Sequence, residues 1–427
     1  MKTRRHYAAV MLTGRYGSVW ISLLRILMTI ITAGVLLLIM QTDPVAAFRG
    51  FLQGCGFLPK ASYGGGSGML SDLFDFLNYL APLLLASLAV IVAFKAGLFN
   101  IGISGQMLAS GFIATVLVGY NKEMPAGLAK PLVLLIGIVV GALIGALVGF
   151  LKYRFNIHEV VSTIMINYII SYLTGFFINN NYVDMLTRTS RICTPAARLT
   201  WTNVMIGGVN CRVPLGIGIA ILMAIIAQIV FDRTTFGFEL KAVGLNKTCA
   251  RYFGVGVGRS VVLSMAFSGM LAGLAGVTYY LGYTNTIIPK TLVGMGYDSI
   301  SVALLGNASP VGSIFAAGVV AVFQQGANYM SSMVGVAKEI ASLITGILLL
   351  YASCAAYIKM KAGMILRMDE TTKTGGALNT GGVLKTGEAP NTDDSLKTGE
   401  ASAAGGTAKT EEASGTDDPS EKKEEGR

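Results

Sequence analysis

The sequence predicts an all-α polytopic membrane protein with about ten transmembrane segments, some of them broken or half helices. Hydrophobic residues make up 53% of the 427 positions and charged residues only 13%, with a mean hydropathy of +0.62. A soluble globule of this length needs more polar surface than that. Glycine is abundant, at 53 residues, as membrane helices tolerate. Apolar runs of about 20 residues, long enough to cross a hydrocarbon core of roughly 30 Å, recur along the chain.

Nine such runs fall at about 21–40, 77–95, 98–118, 131–151, 160–178, 214–231, 260–282, 311–330 and 339–358. A tenth, 299–305, stops at Gly306-Asn307-Ala308-Ser309-Pro310. As a straight helix it reaches only about 12 Å, so it is expected to be one half of a broken crossing. Ten segments put both termini on one side. Basic residues are more numerous on that side, which carries Lys2, Arg4, Arg5, Arg15, Lys152 and Arg154, and the positive-inside rule makes it cytoplasmic. Residues 1–20 are then a cytoplasmic segment and 21–358 the transmembrane domain. The first apolar run has span length and no small-residue cleavage site after it, so it is read as an uncleaved span.

Between the sixth and seventh runs the chain turns polar, over 232–259. Asn246 is placed to cap a helix, and Gly254 can take the left-handed conformation that ends one, so 247–253 is expected to be a short bounded helix on the cytoplasmic side. A capped helix between spans is built to be presented to something.

The last 59 residues, 369–427, differ in kind. They hold seven basic and thirteen acidic residues of the chain's 33 and 23, which leaves the first 368 at net +16. Such a basic membrane part suits an anionic lipid surface; no basic cluster interleaved with aromatics points to nucleic acid. Lys373-Thr374, Lys385-Thr386, Lys397-Thr398 and Lys409-Thr410 open successive twelve-residue units with almost nothing apolar to stack. The tail is therefore expected to be disordered and cytoplasmic rather than a solenoid.

Enzymatic chemistry has little to stand on. There is no Gly-Lys dipeptide, hence no Walker A loop, and the histidines are His6 and His158 alone. No Cys-Xaa-Xaa-Cys pair supports a zinc site, and no cofactor is implied. Cys193 and Cys211 share one predicted outside loop, where they can pair or stay thiols. Any work this protein does draws its energy from a partner.

Polar groups at membrane depth are the default functional candidates. Asn100, Gly102, Ser104, Gly105 and Gln106 interrupt the start of the third run, and Gly306 and Asn307 form a comparable break in the later half. Irregular backbone at this depth is tolerated when buried in protein or lining a wet cavity; close glycine-mediated packing is the competing account. Glu159, Asn167, Asp298, Gln324, Gln325 and Asn328 are further buried polar candidates. Glu159 follows Lys152 and Arg154, which favours an ion pair over a proton relay, and Asp298 is placed to complement a helix N-terminus.

Four ordered motifs carry a family resemblance. Gly97-Leu98-Phe99-Asn100-Ile101-Gly102 with Gly105-Gln106-Met107, then Glu159 to Tyr168, then Ser301-Val302-Ala303-Leu304-Leu305-Gly306 with Ser309-Pro310-Val311-Gly312, resemble the permeases of ATP-binding-cassette (ABC) transporters for nucleosides and simple sugars. The polar stretch is similar to that family's cytoplasmic coupling region at Thr235-Phe236-Gly237, Lys241-Ala242-Val243-Gly244, Asn246 and Ala250-Arg251-Tyr252-Phe253-Gly254. The resemblance covers about 77–358. The chain departs from the pattern at Ser104, His158 and Thr248-Cys249, where the family usually has Glu, Asn and Glu-Ala.

The resemblance implies an importer permease without ATPase activity in the bacterial cell membrane, multi-pass with cytoplasmic termini. Its implied partners are ABC ATPase subunits, a second permease and an extracytoplasmic substrate-binding lipoprotein. It places the substrate path at Asn100, Gly102, Ser104, Gly105, Gln106, Asn167, Gly306 and Asn307, and coupling to the ATPase at Thr235, Gly237, Lys241, Gly244, Asn246, Ala250, Arg251 and Gly254. Nucleosides are the substrate it favours, with simple sugars such as ribose or galactose as the alternative. From the residues alone an ATP-independent carrier or channel stays open.

Overall fold

The computed structural model describes residues 17–63, 67–335, 337, 339–354, 360 and 364. The N-terminal segment before residue 17 and the repeated tail lie outside the described residues, as do 355–358 of the ninth expected span.

The spans appear as helices whose ends are set by polar and proline residues. In order they are α1 (Gly17–Ile39), α2 (Pro44–Gly54), α3 (Met69–Lys95), α4 (Ile103–Ala114), α5 (Ala126–Phe155) and α6 (Glu159–Phe177), then α7 (Leu215–Arg233), α8 (Thr235–Leu245), α9 (Lys247–Tyr252), α10 (Val257–Thr278), α11 (Met295–Leu305), α12 (Pro310–Val334) and α13 (Ile340–Ser353). Five-residue π-helical turns prolong α4, α6 and α10, at Thr115–Gly119, Ile178–Tyr182 and Tyr279–Tyr283. Among the described residues seven helices are long and apolar enough to cross a membrane, those of α1, α3, α5, α6, α7, α10 and α12. The apolar helices of α4, α11 and α13 are shorter.

Several boundaries differ from expectation for local reasons. α3 begins at Met69 rather than 77 because Leu70, Leu73, Phe74 and Leu77 keep a helical apolar spacing straight through the charged positions Asp72 and Asp75. α5 begins at Ala126, ahead of 131, since Pro131 sits near its start, where a missing N–H costs least. The expected span 98–118 becomes a helix only at Ile103; the Asn100 side chain holds the preceding residues out of the helix, as shown below.

Four elements had no counterpart in the span reading. α2 is nucleated by Asp43, whose carboxylate accepts from the Val45 amide at 2.9 Å, with Pro44 at the first helical position. α8 follows Thr234, whose hydroxyl accepts from Gly237 N at 3.1 Å. Strands β1 (Thr200–Ile206) and β2 (Val209–Pro214) pair antiparallel. Their turn, Gly207-Gly208, has φ of +59° and +82°, the left-handed pair that a tight hairpin requires.

Burial ranks the helices. In the most apolar 18-residue window of α3, 89% of residues are buried, and in that of α10 72%, against 28% for α1 and α7, so α3 and α10 form the centre. The outer helices turn Leu143, Leu147, Leu222, Ile225 and Ile229 outward, the apolar exterior expected of a chain solvated by lipid. α5 and α10 meet along Gly137, Gly141 and Gly145 on one side and Gly269 and Gly273 on the other. A β-carbon at Gly141 would stand 2.1 Å from the Gly269 carbonyl oxygen, and one at Gly269 2.2 Å from that of Gly141. Backbones this close bring many weak contacts together where no water is available to drive association.

Candidate functional site

The break before α4 is a closed hydrogen-bonded unit. Asn100 is fully buried; its amide nitrogen donates to Gln106 Oε1 at 3.1 Å and Ser268 Oγ at 3.0 Å, and its oxygen accepts from Gly102 N at 2.9 Å. Ser268 passes its own proton to the Ala89 carbonyl, 2.7 Å away. Asn167 on α6 does the same from the other side, accepting from Gly105 N at 2.8 Å and donating to Ile101 O at 3.0 Å. Ser104 Oγ donates to Val293 O at 2.8 Å, and Gly296 at the start of α11 abuts Ser104 so closely that a β-carbon there would lie 2.2 Å from its oxygen. Freed backbone groups are thus re-satisfied inside the protein. One donor in the unit is left over: Gln106 Nε2 has no partner among the described residues.

The structure brings Asn100, Gly102, Ser104, Gly105, Gln106 and Asn167 together, but Gly306 and Asn307 lie elsewhere, past the opposite end of α11. There Ser22 and Arg25 of α1 donate to the carbonyls of Leu305 and Leu304, each at 3.0 Å. Gly306 and Asn307 line a mainly apolar groove of about 570 Å³ between α1 and α12. Glu159 forms the expected ion pair, 2.8 Å from Lys152 Nζ, and Asp298 falls in the first turn of α11.

The polar stretch between α7 and α10 is a pair of helices joined at one residue. Asn246 ends α8, its amide bonding to Ala242 O at 3.1 Å, and starts α9, its side-chain oxygen accepting from Thr248 N and Cys249 N at 3.0 Å each. α9 closes as predicted: Gly254 has φ of +79°, Gly254 N bonds to Arg251 O at 3.0 Å and Val255 N to Ala250 O at 3.0 Å. Ala250 is buried beneath it, whereas Leu245, Tyr252 and Phe253 are each more than four-fifths exposed. Lys247, Thr248, Arg251 and Tyr252 line a shallow pocket of about 290 Å³. Lys241 is engaged within the stretch, 3.3 Å from Asp232.

This stretch is bonded to the helices above it through glycine. A β-carbon at Gly244 would lie 2.2 Å from Lys95 O, at the end of α3, and one at Gly97 would lie 3.0 Å from the Gly244 Cα. Gly237 leaves even less room, 2.0 Å from Val230 O. From α9 the contacts run through the Asn246 junction to the Gly244 backbone and on to Lys95 and Gly97, which precede the Asn100 unit.

At the other end of α3, the hairpin is pinned by an Arg212–Asp75 ion pair and by Thr200, whose hydroxyl sits 3.2 Å from Asn78 Oδ1 and 3.0 Å from Gly282 O. Cys193 and Cys211 are both buried and both free. Of the two possibilities open in the sequence, the structure takes the unpaired one.

Residues 73–353 match the family described as branched-chain amino acid transport system / permease component. The nucleoside ABC transporter permease protein NupB of Lactococcus lactis subsp. cremoris is 34% identical over 320 residues, covering 72% of this chain and 87% of the relative. The guanosine ABC transporter permease protein NupP of Bacillus subtilis is 34% identical over 307 residues, covering 72% and 88%. The glucose ABC transporter permease protein TsgB13 of Haloferax volcanii is 26% identical over 343 residues, covering 79% and 87%. No solved structure matches the chain.

Proposed function

The chain belongs to the branched-chain amino acid transport system / permease component family, and from that premise we propose that it forms the membrane path of an ABC importer for nucleosides. The observation that carries the reading is α9, a six-residue helix capped at both ends that presents Lys247, Arg251, Tyr252 and Phe253 outward. A helix this short has no stability of its own in water. Building one so deliberately makes sense as a docking piece for a cytoplasmic ATPase.

In this mechanism ATP binding and hydrolysis move the ATPase subunits, which carry α9 with them. Thr235, Gly237, Lys241, Gly244, Asn246, Ala250, Arg251 and Gly254 form the coupling unit, with Arg251 and Lys247 nearest the ATPase. The close Gly244–Gly97 contact passes displacement to α3 and to the break before α4. Asn100, Gly102, Ser104, Gly105, Gln106 and Asn167 hold that break in shape beside the path, and Gly306 and Asn307 form the turn on which α11 ends. Alternating access then follows from rocking of rigid helices around the break. A second permease completes the path, a substrate-binding lipoprotein delivers from the hairpin side, and both termini are cytoplasmic.

Nucleosides are preferred over simple sugars because the two relatives at 34% identity carry nucleoside and guanosine in their names. The glucose relative at 26% supports sugars as the second reading. The test is ATP-dependent uptake of labelled nucleosides and sugars by proteoliposomes holding the protein with its companion subunits. Uptake that ignores nucleotide, or that survives Ala250→Glu combined with Gly254→Pro, would mean a carrier or channel instead.

A further inference from the structure

Four helices bring an aromatic and polar cluster together near the hairpin. Tyr79 stands on α3, Tyr279 and Tyr283 on the π-helical turn after α10, Asp298 on α11 and Gln325 on α12. The Tyr79 and Tyr283 rings lie 5.4 Å apart at 74°, and Tyr279 and Tyr283 5.7 Å apart at 41°. Tyr283 donates its hydroxyl proton to Gln325 Oε1 at 2.8 Å. All five side chains are half-buried, so each keeps some open surface.

Asp298 is the informative member. Its helix, α11, packs against α3, which carries Tyr79, yet among the described residues its carboxylate accepts no hydrogen bond and pairs with no basic side chain. Holding a carboxylate half out of water without a partner costs free energy, and an ionisable group left so at membrane depth marks a pathway. The Gln325 oxygen is the atom Tyr283 uses, and among the described residues the side chain's amide nitrogen has no partner.

We infer that this cluster is a ribonucleoside-contact site on the transport path, an inference that rests on the nucleoside-importer reading. The open carboxylate suits the vicinal hydroxyls of a ribose, which donate to its two oxygens. Tyrosine faces suit a planar base, since base–aromatic stacking is strong and tolerant of base identity. The Gln325 amide supplies a donor for a base carbonyl or ring nitrogen. A simple sugar would satisfy the carboxylate and leave the rings without a planar partner. Thr200 of the hairpin bonds to Asn78 and Gly282, the sequence neighbours of Tyr79 and Tyr283.

The test separates this site from the receptor's own specificity. Equilibrium binding of labelled guanosine, 2′,3′-dideoxyguanosine and ribose is measured on the permease–ATPase complex prepared without the binding lipoprotein, alongside ATP-driven guanosine uptake by the complete importer. The receptor-free complex is expected to bind guanosine about a hundredfold more tightly than the dideoxy compound, the factor two charge-assisted hydrogen bonds supply. Asp298→Asn should erase that difference, and Tyr79→Leu should weaken both nucleosides; Tyr283→Phe, which removes only a hydroxyl, should keep stacking. Basal ATPase activity reports correct assembly of each variant. No guanosine binding by the receptor-free wild type, or undiminished preference in assembled Asp298→Asn, overturns the inference while guanosine uptake keeps the importer reading intact. Absence of ATP-driven nucleoside uptake by the complete wild type defeats that reading itself.

Discussion

Arg25 of α1 donates a hydrogen bond to the carbonyl oxygen of Leu304, 3.0 Å away at the end of α11. That oxygen also accepts from Asn307 N at 3.1 Å and lies among the last carbonyls of a helix, which carry partial negative charge, so the guanidinium takes a second lone pair there and ties α11 to α1. Arg25 is 2% exposed, and among the described residues its Nε and Nη2 find no partner. The bond therefore has to offset an incompletely compensated burial. Arg25→Met is expected to lose about 1.5 kcal/mol, the low end for a hydrogen bond to a charged group, read from thermal unfolding in detergent. Unchanged stability would mean that desolvation cancels the bond and that α1 is held to α11 by packing.

Two glycines of α5 should respond in opposite directions to the same added methyl. At Gly141 the β-carbon meets the Gly269 carbonyl oxygen at 2.1 Å, whereas at Gly127 nothing lies within 4 Å. Gly141→Ala must push α5 off α10 and is expected to cost about 1–3 kcal/mol. Gly127→Ala gains helix propensity of up to about 1 kcal/mol. Denaturation of the two variants in one detergent gives the comparison; equal effects would show that the α5–α10 seam yields easily.

The cysteines give a chemical test of the outer loop. Burial holds the Cys193 thiol above its ordinary range, beside Thr115 Oγ1 at 3.8 Å. A raised pKa means less thiolate at neutral pH, and thiolate is the form that reacts with maleimide. Native protein should therefore be labelled at exposed Cys249 before Cys193, with Cys193 following only on unfolding. Mass spectrometry of labelled peptides checks the order, and a non-reducing digest should contain no Cys193–Cys211 linkage.

Hydropathy made the long helices legible because lipid rewards one local property over about 20 consecutive residues. α9 was equally legible, since Asn246 and Gly254 bound it within nine positions. α2 and α8 escaped because they are eleven residues long, too short to register as spans, although Asp43-Pro44 and Thr234 signal their starts. The hairpin announced itself only through Gly207-Gly208 in a loop judged by its charges. The Asn100 unit could be suspected from clustered Asn, Ser and Gln, but its closure by Asn167 and Ser268 depends on helices far apart in sequence. Asp298 and Gln325 stood out singly; nothing local associates them with Tyr79, Tyr279 and Tyr283, because only the packing of four helices does so.

The coupling role proposed for the polar stretch predicts that two small substitutions fail differently. Asn246→Ala removes the acceptor for Thr248 N and Cys249 N, a loss of about 1 kcal/mol that falls on a six-residue helix with little else to hold it. Docking of the ATPase should weaken, so nucleoside-stimulated ATPase activity and uptake should decline together, while Asn246→Asp, which keeps the cap, restores both. Gly244→Ala leaves α9 intact but places a methyl 2.2 Å from Lys95 O, parting α8 from α3. Here the ATPase should still dock and hydrolyse, with uptake per ATP falling sharply. Should Gly244→Ala transport with wild-type stoichiometry, displacement must reach the membrane helices by another route, and the Gly244–Gly97 contact would be packing alone.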